Sequence, residues 1–234
     1  MAGRALSRFD AVVFDLFGTL VHEFPRADWD TWFVRSAGAL GVDPTAFRRE
    51  WEATSVERQT GRLGDLPANL REICRRAGAR PTQRQIREAM RVREELYARW
   101  FVPVPGARGV LERLREEGTP TALISMCAPD TPPLWRASPL AGLVDVEVFS
   151  SEVGLRKPEP AIYLLACDRL GVRPERCLYV GDGSYRELSG ARAVGMTAVL
   201  VLDPAADAAA INRPEAEDWT GARIARIAEV PGLL

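Results

Sequence analysis

The sequence predicts an α/β protein with a Rossmann-like parallel sheet core and an inserted α-helical domain. Short apolar runs alternate with amphipathic segments of helix length over most of the chain, which is the pattern of a parallel sheet. A stretch of about 80 residues near the N-terminus contains helical patterns only. With 234 residues, of which 47% are hydrophobic and 27% charged, the chain has the composition of a globular protein with one large or two modest domains.

The strands of the core are predicted from five apolar runs. The first, residues 11–17, is interrupted by Asp15 and stopped by Gly18, as expected for a strand buried on both faces. The others are residues 121–125, 144–149, 177–180 and 197–202. Helix-length segments, each followed by a glycine that can end a helix, are residues 109–117, 159–170 and 185–194. This alternation implies right-handed crossovers between parallel strands.

The helical insert is predicted to span residues 22–101, between a core formed by residues 1–21 and 102–234. Its helical stretches are residues 28–40, 44–59, 66–77 and 82–100. Four tryptophans in it are expected to form its packing core: Trp29, Trp32, Trp51 and Trp100. Near the C-terminus, the alanine-rich residues 205–210 are expected to form a loop or short helix.

Composition excludes several classes of function. The 31 basic and 32 acidic side chains nearly cancel, which argues against electrostatic capture of nucleic acid. The single histidine, His22, excludes a multi-histidine metal site and would have to serve any Ser-His-Asp relay. The sequence contains no apolar run of ~18 residues, so no membrane span is expected. The four cysteines show no CxxC spacing and are expected to be reduced, as in a cytoplasmic protein.

Polar residues at predicted strand ends are the candidates for chemistry. Asp15 and Ser125 end their strands, and Gly181-Asp182 follows a third, with Glu187 five residues after Asp182. Each has an ordinary interpretation as a turn or capping residue when taken alone. Lys157 differs, because it is the only lysine beside 30 arginines, which favours a role that needs a compact ammonium group. The carboxylates together would suit Mg²⁺.

In this order, the four sites resemble the motifs of the haloacid dehalogenase superfamily of hydrolases with a helical (C1-type) cap. The first motif is Asp15-Leu16-Phe17-Gly18-Thr19, and the second is Ser125. The third is Lys157 in Lys-Pro-Glu-Pro, and the fourth is Gly181-Asp182 with Glu187. The resemblance covers essentially the whole chain, and it implies that the helical insert is the cap.

The resemblance implies a hydrolase that works through a covalent aspartyl intermediate on Asp15. Thr19 and Ser125 would donate hydrogen bonds to a transferring phosphoryl group, and Lys157 would neutralise its charge. Mg²⁺ would be held by the carboxylates of Asp15, Asp182 and Glu187 and by the backbone carbonyl of Phe17. The substrate would be a small anionic molecule, contacted by Ser125, Met126, Lys157, Arg58 and Arg62. The protein is expected to be a monomer or homodimer that binds neither nucleic acid nor membrane.

The chain departs from the family pattern at Phe17, where phosphatases carry an aspartic acid that protonates the leaving group. His22 is a conceivable substitute. The favoured interpretation is a Mg²⁺-dependent phosphatase, with a 2-haloacid dehalogenase as the alternative because halide needs no proton. Dehalogenases usually carry Asn where this chain has Met126, and they usually lack the Gly-Asp that is intact at Asp182. A poorly catalytic binding protein of the same superfamily is the third interpretation.

Overall fold

The computed structural model describes residues 8–202 and 213–234, and its centre is a six-stranded parallel sheet. The strands are β1 (Ala11–Phe14), β2 (Thr121–Ser125), β3 (Val146–Phe149), β4 (Cys177–Gly181), β5 (Thr197–Val201) and β6 (Ala222–Ile224). They are ordered β3-β2-β1-β4-β5-β6. The predicted fold class and five predicted strands are confirmed, and β6 is an addition. The alanine-rich residues 205–210 lie outside the described residues.

Five helices form the insert between β1 and β2. They are α1 (Arg26–Leu40), α2 (Pro44–Ala53), α3 (Ser55–Gln59), α4 (Leu66–Arg76) and α5 (Gln83–Trp100). Local sequence sets their starts, since Asp43 and Asp65 accept hydrogen bonds from backbone N–H groups as N-caps, and Thr82 and Gln85 form a capping box. The prediction of one helix over residues 44–59 was wrong. The chain breaks at Thr54, whose hydroxyl donates to the Glu50 carbonyl at 2.7 Å.

The remaining helices flank the sheet. They are α6 (Ala107–Glu116), α7 (Thr131–Arg136), α8 (Ser150–Val153), α9 (Pro160–Leu170) and α10 (Glu187–Ala193). Strand β1 is apolar throughout because both of its faces are buried. Val12 and Phe14 pack in the same apolar cluster as α6. Ala11 and Val13 pack on the other face, in the cluster that includes α9 and α10. The sheet is therefore covered on both faces, so a ligand can reach it only at the ends of its strands.

The insert has an apolar cluster of its own, which includes the buried Trp32 and Trp51 with Trp29 and Trp100 packed against it. Trp29 and Trp51 also line a cavity, so they serve more than the packing core that the sequence predicted. All four cysteines are free and buried. Within the described ranges, none of the helices is long and apolar enough to cross a membrane.

Candidate active site

The carboxyl ends of β1, β2 and β4 bring the sequence motifs together. Phe14, the last residue of β1, is in register with Leu123 of β2 and Val180 of β4. The backbone N–H of Asp15 donates to the Val180 carbonyl at 2.9 Å, which fixes the start of the first motif against the fourth. Ligands of open parallel sheets bind at this edge.

Lys157 lies between two carboxylates at this edge. Its side chain is fully buried, and Nζ is 2.5 Å from Oδ1 of Asp15 and 2.6 Å from Oε2 of Glu187. Burial alone would lower the pKa of Lys157, but the two carboxylates outweigh burial and raise that pKa. The ammonium group therefore stays charged and holds Asp15 in place.

Three buried oxygens at or just after the carboxyl ends of β1 and β2 have no hydrogen-bond partner among the described residues. They are Oδ2 of Asp15, Oγ1 of Thr19 and Oγ of Ser125. Buried polar atoms in native proteins are nearly always paired, so three unpaired ones at the same edge of the sheet indicate a ligand site. The set contains one acceptor that can act as a nucleophile and two hydroxyl donors.

The carboxylates of Asp15, Asp182 and Glu187 each offer an oxygen within 4.8 Å of the others. Burial raises the pKa of Glu187 well above its usual range, and the charge of Asp15 adds to the effect. Burial also raises the pKa of Asp15, although Lys157 partly opposes it. Clustered buried carboxylates with raised pKa values need more positive charge than Lys157 supplies. The hard oxygen donors of the three carboxylates therefore fit a small divalent cation.

Arg213 is a second protein cation in this cluster. Its Nε lies 2.5 Å from Oδ2 of Asp182, while Oδ1 of Asp182 accepts from the Ser184 N–H at 3.0 Å. Both oxygens of this carboxylate are thus occupied by protein donors. A metal that used Oδ2 of Asp182 would compete with the Arg213 guanidinium. No sequence motif indicates this contact, because position 213 lies far from every motif.

Two glycines permit this close packing. Gly18 has φ +74°, and a Cβ there would lie 2.4 Å from Oδ2 of Asp182. A Cβ at Gly181 would lie 2.2 Å from Oε1 of Glu187. A side chain at either position would displace one of these carboxylates, which explains the glycines of the first and fourth motifs.

A cavity of about 240 Å³ extends from Asp15 to the insert. Of the predicted substrate contacts, Arg58 and Met126 line it, as does Phe17. Arg62 is exposed, lies outside the lining and donates to Thr60. The lining also includes residues that the sequence did not single out, namely Glu23, Trp29, Arg93, Tyr97 and Tyr185. One signal in the sequence could have linked two of these residues. Arg93 and Tyr97 are four positions apart, which places them on the same face of helix α5.

The Phe17 side chain packs among aromatic rings and cannot donate a proton. Its ring centroid lies 5.3 Å from that of Phe24, 5.8 Å from Phe101 and 6.4 Å from Tyr97. His22 faces Trp100 at 6.5 Å and is absent from the cavity lining. The half-buried Glu23 does line the cavity, and burial, reinforced by the charge of Asp182, raises the pKa of Glu23 to about 8.

The insert is closed against the core by buried polar contacts. Arg93 of α5 forms an ion pair with Asp130 at 2.8 Å. The hydroxyl groups of Tyr97 and Thr131 lie 3.1 Å apart. A further contact joins the Gln59 amide to the Tyr185 hydroxyl at 3.2 Å, so the cavity is roofed by the insert.

A family model for haloacid dehalogenase-like hydrolases matches residues 9–195. The chain belongs to this family. The match begins before the first motif and ends after the fourth, so it includes the helical insert. Membership makes this chain a hydrolase.

The curated relatives include both phosphatases and a dehalogenase. Glyceraldehyde 3-phosphate phosphatase of Methanopyrus kandleri is 30% identical over 137 residues, which span 58% of each chain. Hexitol phosphatase A of Escherichia coli is 30% identical over 85% of each chain. (S)-2-haloacid dehalogenase 4A of Burkholderia cepacia is 26% identical over 82% of each chain. Among solved structures, a phosphatase from Thermococcus onnurineus shares the fold, with a TM-score of 0.65, 22% identity and coverage of 96% of this chain and 97% of that one.

Proposed function

We propose that this hydrolase is a Mg²⁺-dependent phosphatase that acts on a small phosphorylated metabolite through an aspartyl-phosphate intermediate. The observation that carries the proposal is that three buried oxygens at this edge of the sheet, on Asp15, Thr19 and Ser125, have no partner, while the other oxygen of Asp15 is paired with the Lys157 ammonium. A phosphoryl group would satisfy all three, since its oxygens accept hydrogen bonds and its phosphorus accepts a nucleophile. The phosphatase relatives support the same interpretation.

In the proposed reaction, Oδ2 of Asp15 attacks phosphorus, and the bond to the leaving oxygen breaks with its electron pair. Thr19 and Ser125 donate hydrogen bonds to the phosphoryl oxygens, where charge develops. Lys157 keeps Oδ1 of Asp15 paired, so that Oδ2 faces the substrate. Water then attacks phosphorus, the Oδ2–phosphorus bond breaks, and phosphate leaves while the Asp15 carboxylate is restored.

The metal in this proposal would be held by the carboxylates of Asp15, Asp182 and Glu187 and by the Phe17 carbonyl. When bound, Mg²⁺ supplies positive charge that offsets repulsion between the carboxylates and a phosphate. The raised pKa values of Asp15 and Glu187 support this need for charge. In the same proposal the helical insert, residues 22–101, acts as a cap that excludes water from the site.

The Phe17 side chain restricts the substrates. A general acid typically contributes ~10² to 10⁴ in rate, and phenylalanine cannot transfer a proton. We therefore propose that good leaving groups, such as acyl phosphates, react faster than alkyl phosphates.

Phe17 and the aromatic cavity wall also favour a second candidate, a 2-haloacid dehalogenase that forms an aspartyl ester and releases halide. The Burkholderia cepacia relative supports this alternative. The intact Asp182 opposes it, because halide displacement has no need of a third buried carboxylate. The third candidate is a family member that binds a phosphorylated ligand and turns it over poorly.

Turnover of p-nitrophenyl phosphate and acetyl phosphate, each with Mg²⁺ and with EDTA, separates the three candidates. The phosphatase proposal expects Mg²⁺-dependent phosphate release that EDTA abolishes. EDTA-insensitive chloride release from chloroacetate, without phosphate release, would establish the dehalogenase instead. A protein that binds Mg²⁺ but turns over neither phosphate ester, acyl phosphate nor chloroacetate would be the binding protein of the third candidate.

A further inference from the structure

The roof of the cavity contains two buried arginines and a single carboxylate partner. Arg58 and Arg93 are each 4% exposed, and both line the cavity. Arg93 forms an ion pair with Asp130 at 2.8 Å, whereas Arg58 has no carboxylate within 4 Å among the residues that the structure describes. A buried charge without a counter-ion is costly. The roof therefore carries one positive charge that the protein does not neutralise.

Arg58 is fixed in position although it lacks a counter-ion. Its guanidinium stacks on the Trp51 ring at 3.6 Å, Nη2 donates to the Trp51 carbonyl at 2.8 Å, and Nε donates to Thr54 at 3.3 Å. Burial and the like charge of Arg93 lower the pKa of Arg58 to about 9. An anion beside it would reverse that shift.

Arg93 has a free donor in the same place. Its Nε and Nη2 are used by Asp130 and by the Tyr97 hydroxyl, but Nη1 is buried and has no partner among the described residues. Aromatic rings surround the guanidinium, with centroids 4.7 to 5.4 Å away, so water has little access to it. An unpartnered N–H beside an unneutralised arginine favours an acceptor with negative charge.

The cavity that Asp15 shares with the two arginines is lined largely by apolar and aromatic side chains, although Glu23 and Glu52 also line it. The apolar and aromatic side chains include Phe17, Phe24, Trp29 and Met126. A substrate that reaches from the nucleophile to the roof therefore has an apolar middle.

We propose that Arg58 and Arg93 form a carboxylate subsite, so that the substrate has the reacting group at one end, an apolar or aromatic body, and a single carboxylate at the other. The inference rests on the proposed function for the reacting end only. The net charge of the subsite indicates which anion it binds. Two guanidiniums and the Asp130 carboxylate together carry one positive charge, which matches the single negative charge of a carboxylate better than the higher charge of a second phosphate. Two guanidiniums also suit the two oxygens of a carboxylate.

Binding of phenylacetate, which carries no reacting group, tests the subsite without turnover. We expect it to change the tryptophan fluorescence and to bind at least about tenfold more tightly than the neutral phenylacetamide. The variant Arg58→Gln should lose at least about tenfold in phenylacetate affinity. The matched control Arg49→Gln, which changes an exposed arginine of the neighbouring helix α2 outside the cavity lining, should bind as the wild type does.

Equal affinity for phenylacetate and phenylacetamide, or unchanged phenylacetate affinity in Arg58→Gln, would overturn the inference. Circular dichroism and the melting temperature show whether the variant is folded, and Arg58→Lys, which keeps the charge without the planar fork, provides a second variant that should retain part of the affinity. Because the readout is equilibrium binding, failure of the phosphatase proposal in the turnover assays leaves this result unaffected.

Discussion

Nζ of Lys157 lies 2.5 Å from Oδ1 of Asp15, in a position where the lysine side chain is fully buried. The same nitrogen is 2.6 Å from Glu187 and 5.6 Å from the centroid of the Tyr179 ring. A guanidinium is wider than an ammonium group and cannot occupy this space without moving its neighbours. The one lysine of the chain is therefore where a compact cation is required.

The variant Lys157→Arg should lose at least about 100-fold in kcat/KM, because the larger group would displace Asp15 and disturb the oxygens that face the substrate. Steady-state kinetics on acetyl phosphate measures the loss. Arg173→Lys, a swap between the same residue types at an exposed position, is the control and should keep wild-type activity. A Lys157→Arg enzyme with nearly full activity would refute the need for a compact ammonium.

Replacing Phe17 with aspartic acid should raise turnover of alkyl phosphates, by up to ~10² to 10⁴ if the new carboxyl protonates the leaving oxygen. The melting temperature should fall, because Phe17 packs against Phe24 and Phe101. The control Phe17→Asn introduces a side chain of the same size as aspartic acid that cannot act as an acid, so it should lose stability without gaining turnover of alkyl phosphates. Equal rates in the two variants would mean that the missing acid does not limit the enzyme.

Removing Arg213 should strengthen Mg²⁺ binding, because its guanidinium occupies Oδ2 of Asp182. We expect Arg213→Ala to bind Mg²⁺ about tenfold more tightly in calorimetric titration. Arg176→Ala removes an arginine from a surface ion pair with Asp10 and should leave the Mg²⁺ affinity unchanged. Weaker Mg²⁺ binding in Arg213→Ala would show that the arginine supports the metal site instead.

Glu23 should make stability depend on pH. Its pKa is raised from its ordinary value of 4.5 to about 8 in the folded protein, so the folded state binds more protons between these values. Stability is then present at low pH and is lost as pH rises through about 8. Asp15 and Glu187 shift in the same direction. In EDTA, the melting temperature of Glu23→Gln should fall less between pH 6 and pH 9 than that of the wild type; parallel curves would contradict the raised pKa.

Much of the core was predictable, since a strand buried on both faces leaves an apolar run, and glycine or proline marks the helix ends. The break at Thr54 was not, because neither glycine nor proline marks it in the sequence. The start of α10 was also misplaced, since Tyr185 and Arg186 have φ values of 51° and 57° that few residues adopt. Strand β6 is a three-residue edge strand, too short for a pattern.

The site was predictable where strand order brings motif residues to one edge of the sheet, as it does for Asp15 and Ser125. It was not predictable where contacts join distant segments. Arg58 and Arg62 look alike in the sequence, yet one is buried on Trp51 and the other is exposed. Such differences arise from tertiary packing. Cytoplasmic location and a monomeric or dimeric state stay predictions from the sequence.

Turnover of acetyl phosphate in ¹⁸O-labelled water, with Mg²⁺ present, tests most directly whether Asp15 is required and whether water attacks phosphorus, as in a phosphatase, or the Asp15 carboxyl carbon, as in a dehalogenase. Because the water attacks phosphorus in the second step, mass spectrometry should find the label in the released phosphate and none in the peptide that contains Asp15. Asp15→Asn should release no phosphate above background. Label in the Asp15 carboxylate, or phosphate release that persists in Asp15→Asn, would contradict the account.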